Sequence, residues 1–209
     1  SIKIKNFLFK YKKPQLKKIL LLFKKLINSD NHILLSMKDN YKDSYDKKLV
    51  LDLKKYNNIN LIGIGGSILG TKAIYNFLKP KKKFNFIDNF SNFSFKQKDK
   101  KSINLVISKS GNTLETISNS NILIDKNKKN IFITENKKSY LMSLANKLKA
   151  EVIHHNNYIG GRYSVLSEVG MLPSELMGFK PEKFRRLNQL LKNKKFIDLL
   201  IQGVSSILT

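Results

Sequence analysis

The sequence predicts an α/β protein: a doubly wound, three-layer sandwich of the flavodoxin-like kind, built around a parallel sheet of about five strands, with helices before and after it. Five short apolar runs follow one another from about Asn60, namely Leu61–Ile64, Phe84–Ile87, Ile103–Ile107, Ile131–Thr134 and Glu151–Ile153. Each is nearly continuous in apolar character, as strands buried on both faces are. Stretches of roughly 20 residues with helical character separate them, enough for the crossovers that parallel strands need. A glycine-rich or hydroxyl-rich segment follows several of the runs, where ligands bind in open parallel sheets.

Two helical regions flank the sheet. Leu16, Ile19, Leu20, Phe23, Leu26 and Ile27 fall at helical spacing with lysines between them, an amphipathic helix that packs on its own domain. Pro181 sits where a second helix begins, and Phe184, Leu187, Leu190 and Leu191 continue its stripe. The segment Phe196–Thr209 is still apolar and periodic where the chain stops, without a charged tail or a closing glycine. These features divide the chain into an N-terminal helical region at 1–58, an α/β domain at 59–180, and a C-terminal helical segment at 181–209 that reads as cut before further structure.

Composition narrows the function classes. With no cysteine there is no disulfide framework and no thiolate metal site. His32, His154 and His155 do not form a spaced ligand set with carboxylates, so no metal is expected. No apolar run reaches the length of a membrane span, and Ile19–Phe23 is too short for a secretory core. A cytoplasmic protein with no membrane partner is expected. The formal charge of +25 would suit a nucleic-acid binder, but 37 of the 40 basic residues are lysine and only Arg162, Arg185 and Arg186 are arginine. Base readout and planar phosphate recognition favour arginine. The lysines are also spread along the chain beside many asparagines and isoleucines, a genome-wide bias and not a basic face. No nucleic-acid partner is expected.

Three segments at strand ends carry the chemistry. The first is Gly63-Ile-Gly-Gly-Ser-Ile-Leu-Gly70, whose glycines let backbone approach a ligand at a helix N-terminus. It fails the dinucleotide pattern at Ile68, which discounts Asp88 as a ribose contact. It fails the P-loop pattern because Thr71 and Lys72 are transposed.

The second is Ser108-Lys-Ser-Gly-Asn-Thr-Leu-Glu-Thr116. Ser108, Ser110 and Thr113 can donate hydroxyl hydrogen bonds and Lys109 adds positive charge. Asn112 and Glu115 make a variant capping box for a helix that starts at about Thr113, whose dipole adds to the anion preference. A cap with incidental serines accounts for Asn112 and Glu115. Ser108, Lys109 and Ser110 are accounted for by a phosphate monoester.

The third is Ile159-Gly-Gly-Arg-Tyr-Ser-Val-Leu-Ser-Glu-Val-Gly-Met-Leu-Pro173. Its paired glycines allow a close backbone approach, and Arg162 offers either a fixed cation for a developing oxyanion or a structural ion pair with Glu168.

Together, in this order and spacing, the three segments resemble the glucose-6-phosphate isomerase (phosphoglucose isomerase) family, built from two sugar isomerase (SIS) domains. The third segment is the most specific of them. The resemblance covers roughly Asn60 to Gly178. It implies interconversion of glucose 6-phosphate and fructose 6-phosphate, a step of glycolysis and gluconeogenesis, through a cis-enediolate and without metal or organic cofactor. By resemblance, Gly66 and Ser67 match the first sugar-phosphate contact. Ser108, Lys109, Ser110, Gly111, Asn112 and Thr113 match the phosphate loop, and Gly161 with Arg162 the segment that stabilises the enediolate.

In the family the proton-transferring glutamate, the ring-opening histidine and a late lysine follow the arginine segment. None has a counterpart before Thr209, and Glu168, Glu175, His154 and His155 do not match them. The chain therefore resembles a first SIS domain with its N-terminal region, inactive alone and homodimeric as part of a whole enzyme. Two alternatives stay open: a non-catalytic SIS module that binds a sugar phosphate, and a different SIS-type isomerase.

Overall fold

The computed structural model describes residues 13–90 and 102–208. Residues 1–12 of the expected N-terminal region, and Thr209, lie outside the described residues. The sheet strands are β1 (Asn58–Ile62), β2 (Lys83–Ile87), β3 (Ser102–Ile107), β4 (Asn130–Thr134) and β5 (Glu151–His154). They pair in the order β2-β1-β3-β4-β5, all parallel. The chain steps outward from β1 to β2, then returns to place β3 on the other side of β1. That reversal puts the switch point between β1 and β3, so the loops after these two strands open into one crevice.

Helices cover both faces. On one side α3 (Lys47–Lys54), α4 (Leu69–Leu78) and α7 (Glu168–Leu176) pack against Ile59, Leu61, Ile103, Leu105, Ile107, Ile131, Ile133 and Ile153. On the other, α5 (Leu114–Leu123) and α6 (Tyr140–Leu148) cover Ile62, Ile87, Val106 and Phe132. The continuous apolar runs in the sequence reflect these two cores, most completely in β3 and β4, where every residue is buried.

The first strand differs from its expected span. It begins at Asn58 and ends at Ile62, so Gly63 and Ile64 already belong to the loop. Asparagine disfavours strands, but here Asn85, Asn60, Asn104 and Asn130 stand in register on neighbouring strands. Their side-chain amides form a chain of hydrogen bonds, Asn85 to Asn60, Asn60 to Asn104 and Asn104 to Asn130, at 2.8–2.9 Å. Each amide satisfies its neighbour, so Asn104 and Asn130 are buried without an orphaned dipole.

The flanks also depart from expectation. In α1 (Lys13–Ile27), Ile19 is buried but Leu20, Leu21, Leu22 and Leu26 are exposed, and the short α2 (His32–Ser36) follows it. Past the sheet, the single helix expected from Pro181 is two pieces, a 3-10 turn at Pro181–Lys183 and α8 (Leu187–Leu191). Arg185 breaks it. Its buried guanidinium donates twice to Leu166 O (2.8 and 2.9 Å), pairs with Asp43 at 2.6 Å and stacks on Tyr41. The last helix, α9 (Lys194–Ile207), packs against α1.

Candidate functional site

The three segments singled out in the sequence meet at the switch point. After β1 the chain makes a 3-10 turn at Gly65–Ser67 before α4. After β3 it forms the hydroxyl loop. After β5 it enters a 3-10 segment at Gly161–Leu166 that leads into α7. The first and third segments touch through backbone: a methyl group at Gly66 would lie 2.1 Å from Gly161 O and 2.9 Å from Arg162 N. Ser164 Oγ reinforces the contact, donating to Gly161 O at 2.7 Å and lying 3.4 Å from Gly66 O. Only glycine fits at position 66. At Gly161, by contrast, an added methyl would meet nothing within 4 Å.

In the hydroxyl loop, Ser108 Oγ lies 3.0 Å and Ser110 Oγ 3.4 Å from Thr113 Oγ1. Ser110 Oγ also accepts the Asn112 N–H at 3.2 Å. Three hydroxyls thus converge immediately before α5, whose N-cap residue is Thr113 and whose first turn receives no side-chain cap. Free amide N–H groups and hydroxyl donors therefore point to one place, an arrangement that accepts an anion.

The expected capping box is not formed. Asn112 instead accepts the N–H of Tyr140 at 2.8 Å, and Gly111 O accepts that of Leu141 at 3.0 Å. Both residues dock the loop on the start of α6. Gly111 has φ +67°, and a side chain there would collide with Ser139 Oγ at 2.3 Å. Neither constraint is visible from α5 alone.

Lys109 joins the second segment to the third. Its Nζ donates to Asn157 O at 2.7 Å and Ile159 O at 3.0 Å, and lies 3.4 Å from Glu135 Oε1. Glu135, buried at the end of β4, also pairs with Lys137. Burial pushes its carboxyl up, but the Lys137 and Lys109 ammoniums outweigh burial and hold it below the usual carboxylate range. Sequence reasoning missed Glu135, although its place directly after a buried strand is the same signal that exposed the other segments.

Arg162 is exposed and makes no hydrogen bond or ion pair with the described residues. The ion pair with Glu168 does not form, because Glu168 is turned inward. Its Oε1 accepts the Asn156 N–H at 3.0 Å and lies 3.5 Å from His155 Nδ1, with both residues about 1% exposed. Burial lowers the His155 imidazole to about 4, which leaves it neutral at pH 7, and raises the Glu168 carboxyl; the two pack side by side beneath the arginine segment. Ser67 Oγ has no hydrogen-bond partner among the described residues, leaving it available beside Gly66. The two near-misses of the first segment find each other: Lys72 Nζ lies 3.0 Å from Asp88 Oδ2.

The family model described as Phosphoglucose isomerase matches residues 31–202. The chain belongs to the phosphoglucose isomerase family. It is 35% identical over 187 residues to the glucose-6-phosphate isomerase of Methanocaldococcus jannaschii, a match covering 78% of this chain and 45% of that protein. It is 38% identical over 139 residues to the glucose-6-phosphate isomerase of Borrelia garinii subsp. bavariensis, covering 56% and 26%. The chain thus spans less than half the length of these phosphoglucose isomerase relatives. Among solved structures, a hypothetical protein from Thermus thermophilus superposes with a TM-score of 0.68 at 21% identity, over 91% of this chain and 51% of that one. Tagatose-6-phosphate ketose/aldose isomerase from Escherichia coli superposes at 0.50 with 14% identity, over 93% and 50%. These two likenesses show the fold. Among the described residues, no helix is long and apolar enough to cross a membrane.

Proposed function

We propose that this chain is the phosphate-holding portion of a glucose-6-phosphate isomerase. One observation carries the reading: the hydroxyls of Ser108, Ser110 and Thr113 converge in the loop after β3, which Lys109 ties to the segment carrying Arg162, a residue unpaired among the described residues. The hydroxyl loop and the α5 N-terminus hold the phosphate dianion, with Gly66 and Ser67 against the sugar. Binding energy gathered at the phosphate fixes the distant reacting carbons. Arg162 offers a fixed positive charge where the enediolate oxygen gains its negative one. Glu168 and Glu175 take no part in proton transfer, because the first is folded beneath the loop and the second accepts from Tyr45 Oη at 3.3 Å. The proton-transferring glutamate and ring-opening histidine belong to the remainder of the whole enzyme, a homodimer.

Calorimetric titration with fructose 6-phosphate, beside inorganic phosphate and NAD, tests the reading. Saturable sugar-phosphate binding tighter than that of inorganic phosphate, with NAD inert, is the expected result. Equal affinity for the two phosphates would reduce Ser108–Thr113 to a generic anion loop and refute a sugar-phosphate site in this chain.

A further inference from the structure

We propose that Lys109 is a positioning residue, a brace that holds the arginine segment against the hydroxyl loop, and not a contact to the phosphate. The inference rests on the reading that the two loops hold one ligand. An ammonium has three protons to donate and no other hydrogen-bonding capacity. In Lys109 they are directed at Asn157 O, Ile159 O and Glu135 Oε1, at 2.7, 3.0 and 3.4 Å. To reach an anion in the cradle the side chain would have to abandon those carbonyls, leaving them unpaired. Its charge is also already met by Glu135, whose carboxylate stands 3.4 Å away at the carboxyl end of β4. Asn157 and Ile159 lie just ahead of Gly161 and Arg162 in the chain, and Gly161 is the residue that abuts Gly66. Lys109 is part of the hydroxyl loop, so one side chain fixes the spacing between the phosphate end of the site and its arginine. Direct anion binding falls to the hydroxyls and backbone amides, and among the described residues of the site Arg162 is the free cation.

The test uses the full 209-residue chain and a double variant, Lys109→Met with Glu135→Gln, which removes the brace without altering net charge. Hydrogen exchange is followed at the amides of Tyr158, Ile159 and Tyr163, with β3 amides as the control for intact folding. Without ligand, exchange at the three loop amides should quicken by about tenfold or more while β3 stays protected. Lys109→Arg, which keeps charge and donors, should keep the loop protected. Affinity for inorganic phosphate should stay within about twofold, whereas the preference for fructose 6-phosphate over inorganic phosphate should be lost in the double variant. Unchanged loop exchange overturns the brace. So does a loss of inorganic-phosphate affinity with loop protection intact, which would mark the ammonium as an anion contact. If the wild-type chain binds no sugar phosphate, the reading of the site fails by itself, and ligand-free exchange still decides whether the brace exists.

Discussion

At Gly66 two segments far apart in sequence touch with no side chain between them, and one methyl group is enough to separate them. Gly66→Ala should cost about 1–3 kcal/mol of stability, the usual range for forcing an atom into a packed contact, and should weaken fructose 6-phosphate binding. Gly161→Ala should stay within about 0.5 kcal/mol, since its new methyl meets open space. Urea denaturation of both variants checks the pair. Equal destabilisation would mean that the Gly66–Gly161 contact does not set the spacing of the loops. The same contact explains why the paired glycines could be read in the sequence as a close approach but not assigned a partner: the residue that needs to be glycine is the one on the other segment.

Among elements, the strands were the most legible, because burial between two helix layers leaves a run of apolar residues that a half-exposed strand lacks. The hydroxyl loop was legible for a similar reason, since local spacing alone brings Ser108, Ser110 and Thr113 together. What escaped was the partner chosen by contacts between segments far apart in sequence. Asn112 was read as a cap for α5 because its partner on α6 lies 28 residues away. The run Leu61–Ile64 starts later than β1 because asparagine disfavours strands and the amides that match Asn60 lie on neighbouring strands. That row gives a graded prediction. Asn104 is fully buried and bonded on both sides, so Asn104→Leu strands an amide on Asn60 and a carbonyl on Asn130 and should cost about 2–4 kcal/mol. Asn85 is half-buried on the edge strand with one bond into the row, and Asn85→Leu should cost about 1 kcal/mol. Denaturation midpoints in the reverse order would mean that the row is not a cooperative part of the sheet.

For the whole molecule, the buried His155 and Glu168 beneath the arginine segment tie global stability to pH. An unfolded imidazole takes its proton near pH 6.5, but burial holds the folded His155 off until about 4. Between those values the unfolded chain binds more protons, so stability falls as pH falls, by at most about 1.4 kcal/mol per pH unit. Glu168 acts in the opposite sense. Its folded carboxyl, raised by burial, keeps a proton that the unfolded chain releases, so its contribution is present at low pH and lost as pH rises through the folded value. Glu135, held below the usual carboxylate range, loses its contribution only as pH falls through the unfolded value near 4.5, below about pH 5. His155→Gln removes the first of these effects and leaves the other two in place. Between about pH 7 and about pH 5 the wild-type chain should therefore lose about 2 kcal/mol more than the variant, measured by urea denaturation at each pH. Parallel losses in the two proteins would mean that the folded imidazole takes up its proton as readily as the unfolded one. In that case His155 and Glu168 would form an ion pair under the arginine segment, and the support beneath Arg162 would be charged.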